Sequence, residues 1–165
     1  MHKRRAVLVL GMASVAALAY YIAKGELMSY LSIAKEAGAK YDIDPLLIMA
    51  LAKAESNLRV SAVNVNSNKT TDYGLMQINS INLEFVGATK DTIFDPTINI
   101  HGGAKLLRQK SDYIAGKKGI APSTRELISA YNEGEGRLVK SGIVNLAYVT
   151  RVWFWYGIYK LRGGI

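Results

Sequence analysis

The stretch Asp44-Pro45-Leu46-Leu47-Ile48-Met49-Ala50-Leu51-Ala52-Lys53-Ala54-Glu55-Ser56 decides how this chain is read. Aspartate is a favoured N-cap, and proline suits the first helical position because its missing N–H would be unpaired there anyway. A helix therefore starts at Asp44-Pro45. Apart from Lys53 it is apolar on every side, which marks a helix at the centre of a domain rather than on its surface. Glu55 falls in the last turn. Burial disfavours its charged form, and the partial negative charge of a helix C-terminus acts in the same direction. A carboxylic acid that keeps its proton near neutral pH is what general acid catalysis needs. On position alone the commoner reading is structural, an exposed glutamate where the helix frays.

Residues 57–72 hold Asn57, Asn64, Asn66, Asn68, Thr70, Thr71 and Asp72. Such side chains bond nearby backbone and favour turns. The segment reads as a polar connector or as a loop carrying ligand contacts beside a rigid helix. Tyr73-Gly74-Leu75-Met76-Gln77-Ile78-Asn79 follows, as a short strand or an extended segment lining a cleft. Gly74 allows close backbone approach. Gln77 can donate to and accept from a sugar hydroxyl or acetamido group. Met76 offers an adaptable apolar surface, although spacing alone places it in the core.

The remaining elements are helical. Gly25 to Gly38 reads as an amphipathic helix stopped by Gly38, with Leu27, Tyr30, Leu31 and Ala34 at helical spacing. Ser80 caps a short helix through Val86, closed near Gly87. Asp95-Pro96 repeats the helix start, and the helix to about Ala115 turns Ile100, Ala104, Leu107 and Ile114 inward. Gly102 and Gly103 predict a close helix contact. Residues 116–122 form a loop. Ser123 and Glu126 form a capping box for a helix that ends at Tyr131, where Asn132, Gly134 and Gly136 interrupt it. Asn145 caps a last helix over 146–162, with Tyr148, Val152, Trp155 and Tyr159 on one face. The sum is a mainly α domain around a buried central helix, with at most a small β element at residues 60–79.

Five short patterns occur in one order along residues 27–156: Glu55-Ser56; Gly74-Leu75-Met76-Gln77-Ile78; Asn99-Ile100 with Gly103; Ala130-Tyr131-Asn132-Glu133-Gly134; and Tyr148-Val149-Thr150-Arg151-Val152. Together they resemble the lytic transglycosylases of the lysozyme superfamily. The resemblance implies an α+β lysozyme-like fold and a peptidoglycan substrate. It implies Glu55 as the single catalytic acid and base at the β-1,4 bond between N-acetylmuramic acid and N-acetylglucosamine, leaving 1,6-anhydromuramic ends. It also implies substrate contacts from Ser56, Asn64, Met76, Gln77, Tyr131, Asn132 and Tyr148, with Tyr131 and also Tyr148 orienting or stabilising Glu55, and no metal or cofactor. Ordinary glycosidases use two carboxylates. A lysozyme-type hydrolase on the same fold is the rival reading, with Asp72 as the second acid. A wall-binding module that recruits a transport assembly is another. The Asn-rich loop and Asp72-Tyr73 resemble the small members that accompany type IV secretion, conjugation or pilus machines.

Composition bounds the setting. The 165 residues suit one domain with its own core, and half of them are apolar. No cysteine is present, which excludes disulfides and cysteine-based metal sites. No His-Glu-x-x-His pattern exists, and His101 has no metal role. Lys3, Arg4 and Arg5 precede an apolar run from Ala6 to Ala23, with an A-x-A-like site at Ala17-Leu18-Ala19. Residues 1–23 are thus a signal peptide or a membrane anchor, and 24–165 an exported domain, periplasmic or held at the inner membrane. The formal net charge is +8, or +5 once the three cations of residues 1–19 are removed. That excess suits an anionic polymer such as the cell wall. The basic residues are scattered and no nucleic-acid-binding motif is present, so nucleic acid is not an expected partner.

Overall fold

Asp44 starts the central helix as its sequence requires. In the computed structural model, which describes residues 2–162 (side chains at 18 and 20–162), its Oδ1 accepts from the Leu46 N–H at 2.8 Å. Pro45 follows at the head of α2 (Pro45–Ser56). Leu47, Ile48, Met49, Ala50, Leu51 and Ala52 are all buried, so the apolar run is the centre of the core. Tyr156 donates to Asp44 Oδ2 at 2.6 Å, and Lys160 lies 3.0 Å from the same oxygen. Burial pushes this carboxyl up. The hydrogen bonds from Tyr156, Lys160 and the Leu46 N–H outweigh that and hold it below its ordinary range.

The chain before α2 is one helix, α1 (His2–Tyr41). It does not stop at Gly38. It continues to Tyr41 and ends where Asp42 takes a positive φ of 55°. Gly38 serves a close approach instead. A Cβ there would lie 2.5 Å from the Ile43 carbonyl oxygen. Leu31, Ala34 and Ala37 pack α1 onto the core. The signal or anchor reading of residues 1–23 falls mostly on side chains outside the described residues. Among the described residues no helix is long and apolar enough to cross a membrane.

After α2 the chain forms a three-stranded antiparallel sheet: β1 (Val63–Val65), β2 (Thr71–Tyr73) and β3 (Ile78–Asn79), in that order. Asn64 pairs with Asp72, and Asp72 with Asn79. The stretch from Tyr73 to Asn79 is therefore two strand ends and a turn, not one strand. A 3-10 turn (Ser80–Asn82) and α3 (Leu83–Val86) follow; Asn79 rather than Ser80 is the cap, accepting from the Ile81 N–H at 3.2 Å.

Helix α4 (Pro96–Lys118) is capped by Asp95 and carries Ile100, Ala104, Leu107 and Ile114 into the core, as expected. It runs past Ala115 to Lys118, where Gly119 turns left-handed with φ of 73°. The close contact at its glycines is chiefly with the β3 region. A Cβ on Gly103 would meet Met76, and one on Gly102 would meet Ile78 and Val86 of α3.

Helix α5 (Thr124–Glu133) starts on the Ser123–Glu126 capping box and runs two residues beyond Tyr131. Gly134, with φ of 83°, breaks it, and α6 (Glu135–Ser141) follows with Gly136 inside it. The glycine spacing had suggested only a break there. Asn145 caps α7 (Leu146–Leu161), which packs along α2 and α5. The architecture is mainly α with one small sheet, a lysozyme-like fold.

Candidate active site

Glu55 ends α2 because the helix is closed immediately after it. Ser56 Oγ donates to the Ala52 carbonyl at 3.2 Å and accepts from the Arg59 N–H at 3.1 Å. Asn57 and Leu58 both take positive φ, 58° and 63°, which turns the chain sharply away. Glu55 is left half-buried on the wall of a cleft of about 660 Å³. Asn64 and Asp72 from the sheet, Gln77, Tyr131 and Asn132 line the same cleft.

Tyr148 in the first turn of α7 donates its hydroxyl to Glu55 Oε1. Burial raises the Glu55 carboxyl above its ordinary range, and the negative charge of Asp72 adds to that. The Tyr148 hydrogen bond and the positive charge of Arg151 pull it partly back. The Arg151 guanidinium lies 5.3 Å from the Tyr148 ring centre. Burial, followed by the nearby Glu55 charge, pushes both Tyr148 and Tyr131 well above the ordinary phenol range, so both stay protonated donors. Tyr131 spends its proton on the Met76 carbonyl at 2.8 Å.

The turn under the cleft is held from below by Asn99 of α4. Its Oδ1 accepts from the Met76 N–H at 2.7 Å, and its Nδ2 donates to the carbonyls of Tyr73 and Ile93 at 3.0 and 2.9 Å. Gly74, with φ of 73°, passes so close that a Cβ would lie 2.3 Å from Asn99 Nδ2. Gln77 also has a positive φ, 48°, and its Nε2 donates to Gly74 and Ala62 carbonyls. The cleft floor is thus one hydrogen-bonded unit.

Asn145 connects the α5 end to Tyr148. Its N–H donates to Glu133 Oε1 at 2.6 Å, its Nδ2 donates to Asn132 Oδ1 at 3.0 Å, and its Oδ1 accepts the Tyr148 N–H at 3.1 Å. Glu133 also accepts from Ser129 and Val144. Burial pushes the Glu133 carboxyl up, but the Asn145, Ser129 and Val144 donors and the Arg137 charge outweigh it and hold it below its ordinary range.

A half-buried helix-end acid, a phenol donating to it, and a polar cleft fed by a small sheet form one arrangement. Residues 32–144 match the transglycosylase SLT domain. The chain belongs to that family. This chain is 40% identical to protein IpgF of Shigella flexneri over 78 residues, 45% of this chain and 51% of IpgF. It is 34% identical to the X polypeptide of Escherichia coli over 134 residues, covering 78% of this chain and 75% of that protein. It is 30% identical to the invasion protein IagB of Salmonella typhimurium over 132 residues, 78% and 76% of the two chains. The match therefore spans about half the length of IpgF and about three quarters of the other two relatives. An inactive mutant of the lytic transglycosylase Slt from Pseudomonas aeruginosa has the same fold, with a TM-score of 0.63 at 18% identity over 79% of this chain and 24% of that one.

The structure gathers Glu55, Asn64, Gln77, Tyr131 and Asn132 around the cleft and sets Tyr148, just beyond the matched residues, behind Glu55. Two expected contacts lie elsewhere. The Met76 side chain is fully buried against Gly103, so it supports the floor and presents only its backbone carbonyl to Tyr131. Ser56 is buried and spent on helix closure. Asp72 is a strand residue with each carboxylate oxygen taken by an amide, Asn66 at 2.9 Å and Asn79 at 2.6 Å. Sequence reasoning found Asn145 as the cap of α7 and Asn99 as part of a pattern, and missed the contacts by which each organises the site. The signal for Asn99 was a lone amide beside Ile98 and Ile100 on a helix whose other inward residues are apolar or glycine.

Proposed function

We propose that the domain is a peptidoglycan lytic transglycosylase in which Glu55 alone serves as acid and base. The observation that carries this reading is the Tyr148 hydroxyl on Glu55 Oε1, at a carboxyl that burial keeps protonated upward of its ordinary range. With Oε1 occupied, the transferable proton resides on Oε2. It passes to the glycosidic oxygen as the bond from C1 of N-acetylmuramic acid breaks, and N-acetylglucosamine leaves with its hydroxyl restored. Positive charge develops at C1. The Glu55 carboxylate then takes the proton of the C6 hydroxyl on the same sugar, whose oxygen closes onto C1. The product is a 1,6-anhydro ring, Glu55 is protonated again, and no water is consumed.

Each neighbour has a task in this scheme. Tyr148 orients the carboxyl and stabilises its charged state between the two proton transfers. Tyr131 fixes the floor through Met76, Asn64 and Asn132 present amides to sugar hydroxyl and acetamido groups, and Gln77, whose Nε2 is held by the floor, offers its Oε1. The apolar run at 6–23 with its basic prefix supports export, as signal or as anchor. IagB is named an invasion protein, and that likeness supports a role in opening the wall for a secretion or pilus assembly.

The test is Glu55→Gln, which keeps size and polarity and removes the titrating proton. Sacculus clearing is expected to fall by at least a thousandfold, within the range of about 10²–10⁴ for one acid–base group and beyond it when the group serves twice. Clearing at the parent rate would refute the role. If activity instead vanished in Asp72→Asn and the products were reducing sugars, the hydrolase reading would replace it.

A further inference from the structure

Helix α7 carries large apolar side chains on two opposite sides, yet only one of them is covered. Tyr148, Val149, Val152 and Tyr159 are buried where it packs on α2 and α5. At about 3.6 residues per turn the opposite side presents Leu146, Trp153, Phe154 and Leu161, with Ala147, Thr150 and Gly157 between them. Leu146 is 66% exposed, Phe154 57% and Leu161 87%. A helix apolar on opposite sides belongs inside a core or against lipid. No described element covers this outer face.

The charge around it is one-sided. From residue 136 to the end the chain has no aspartate or glutamate, and it has five cations: Arg137, Lys140, Arg151, Lys160 and Arg162. Arg151, Lys160 and Arg162 are exposed on α7 or at its end. Arg125 of α5 reaches over the Trp153 ring at 4.9 Å. The nearest acidic partner is Asp44, 3.0 Å from Lys160 on the covered side. Exposed Phe and Trp bordered by cations, of which only Lys160 is paired with a carboxylate, are complementary to acyl chains beneath anionic headgroups. A second copy of the same face would oppose two like-charged sets.

We propose that the outer face of α7 seats the domain on an anionic bilayer surface. Phe154, Trp153 and Leu161 enter the boundary between headgroups and acyl chains, and Arg151 and Arg162 meet phosphate. This contact is separate from the apolar run at 6–23 and does not depend on the glycan-cleaving reading.

The test uses the full chain, whose two tryptophans, Trp153 and Trp155, both lie on α7. On vesicles of phosphatidylglycerol and phosphatidylethanolamine, tryptophan emission is expected to shift to the blue and to be quenched by brominated acyl chains. On phosphatidylcholine alone the shift is expected to be much smaller. Phe154→Glu with Leu161→Glu is expected to abolish the shift with an unchanged far-ultraviolet dichroism spectrum, since both side chains are solvent-facing. Flotation with anionic vesicles without any change in emission would overturn the proposal, leaving the N-terminal run as the contact. An equal shift on phosphatidylcholine would overturn the charge argument. A shift without vesicles that grows with protein concentration, together with a dimer in sedimentation, would replace the bilayer by a second copy.

Discussion

The Tyr148 hydroxyl donates to Oε1 of Glu55 across 93 positions of sequence, tying the first turn of α7 to the last turn of α2. A phenol donating to a carboxylate favours the charged form, so this bond opposes the burial that raises Glu55. Tyr148→Phe keeps the ring and removes the donor. The Glu55 carboxyl should then rise further, and the basic limb of the pH–rate profile should move to higher pH. A hydrogen bond to a charged group contributes roughly 1.5–3 kcal/mol, so the rate at the optimum should drop about ten- to a hundredfold. A profile measured with solubilised glycan strands would show an unmoved limb if the bond had no part in tuning Glu55.

The raised pKa of Glu55 also affects stability. The folded state holds the Glu55 proton above the pH at which the unfolded chain has released it, near the ordinary value of 4.5. Folding stability therefore falls as pH rises through that window. Glu55→Gln removes the term. Its melting temperature should exceed the parent's at pH 8, and the gap should close as pH approaches 4. Parallel thermal melts across that range make the comparison.

Asn99 is buried and makes three hydrogen bonds under the cleft floor, two of them fully buried. Asn99→Ala leaves the Met76 N–H and two carbonyls without partners. At about 1 kcal/mol each, plus the penalty for leaving buried groups unpaired, the loss should be roughly 3–5 kcal/mol in urea denaturation. Gly74→Ala should also destabilise, since a Cβ there would collide with Asn99 Nδ2 and φ is 73°.

Asn145 places Tyr148. Asn145→Ala removes an N-cap and the Asn132 contact together, and a cap alone is worth about 0.5–2 kcal/mol. Stability should fall by about 1–2 kcal/mol. The basic limb of the pH–rate profile should shift in the same direction as in Tyr148→Phe. A purely structural cap would lower stability without moving that limb.

The helices were legible wherever apolar spacing and caps agreed. Asp44-Pro45, Asp95-Pro96 and the Ser123–Glu126 box all start helices as their chemistry predicts. Glycines were the weak point, because one residue type serves both breaks and close approaches. Gly38 and Gly136 lie inside helices, while Gly134 does break one. Site residues on elements far apart in sequence were legible only by resemblance. Periodicity could not bring Tyr148 to Glu55, nor say that Met76 faces Gly103 rather than the cleft. Asn145 was legible as a cap and Asn99 as part of a pattern, but the tertiary partners of both, Asn132 and Glu133 for one and Met76, Tyr73 and Ile93 for the other, had no signal in local spacing.

Digestion of purified sacculi in heavy-oxygen water, followed by mass analysis of the glycan ends, tests the central role of Glu55 most directly. Ring closure by the C6 hydroxyl predicts 1,6-anhydromuramic ends that carry no label, and none of these ends from Glu55→Gln. Labelled reducing ends from the parent chain would contradict the account, because water, and not the sugar's own hydroxyl, would then have completed the reaction.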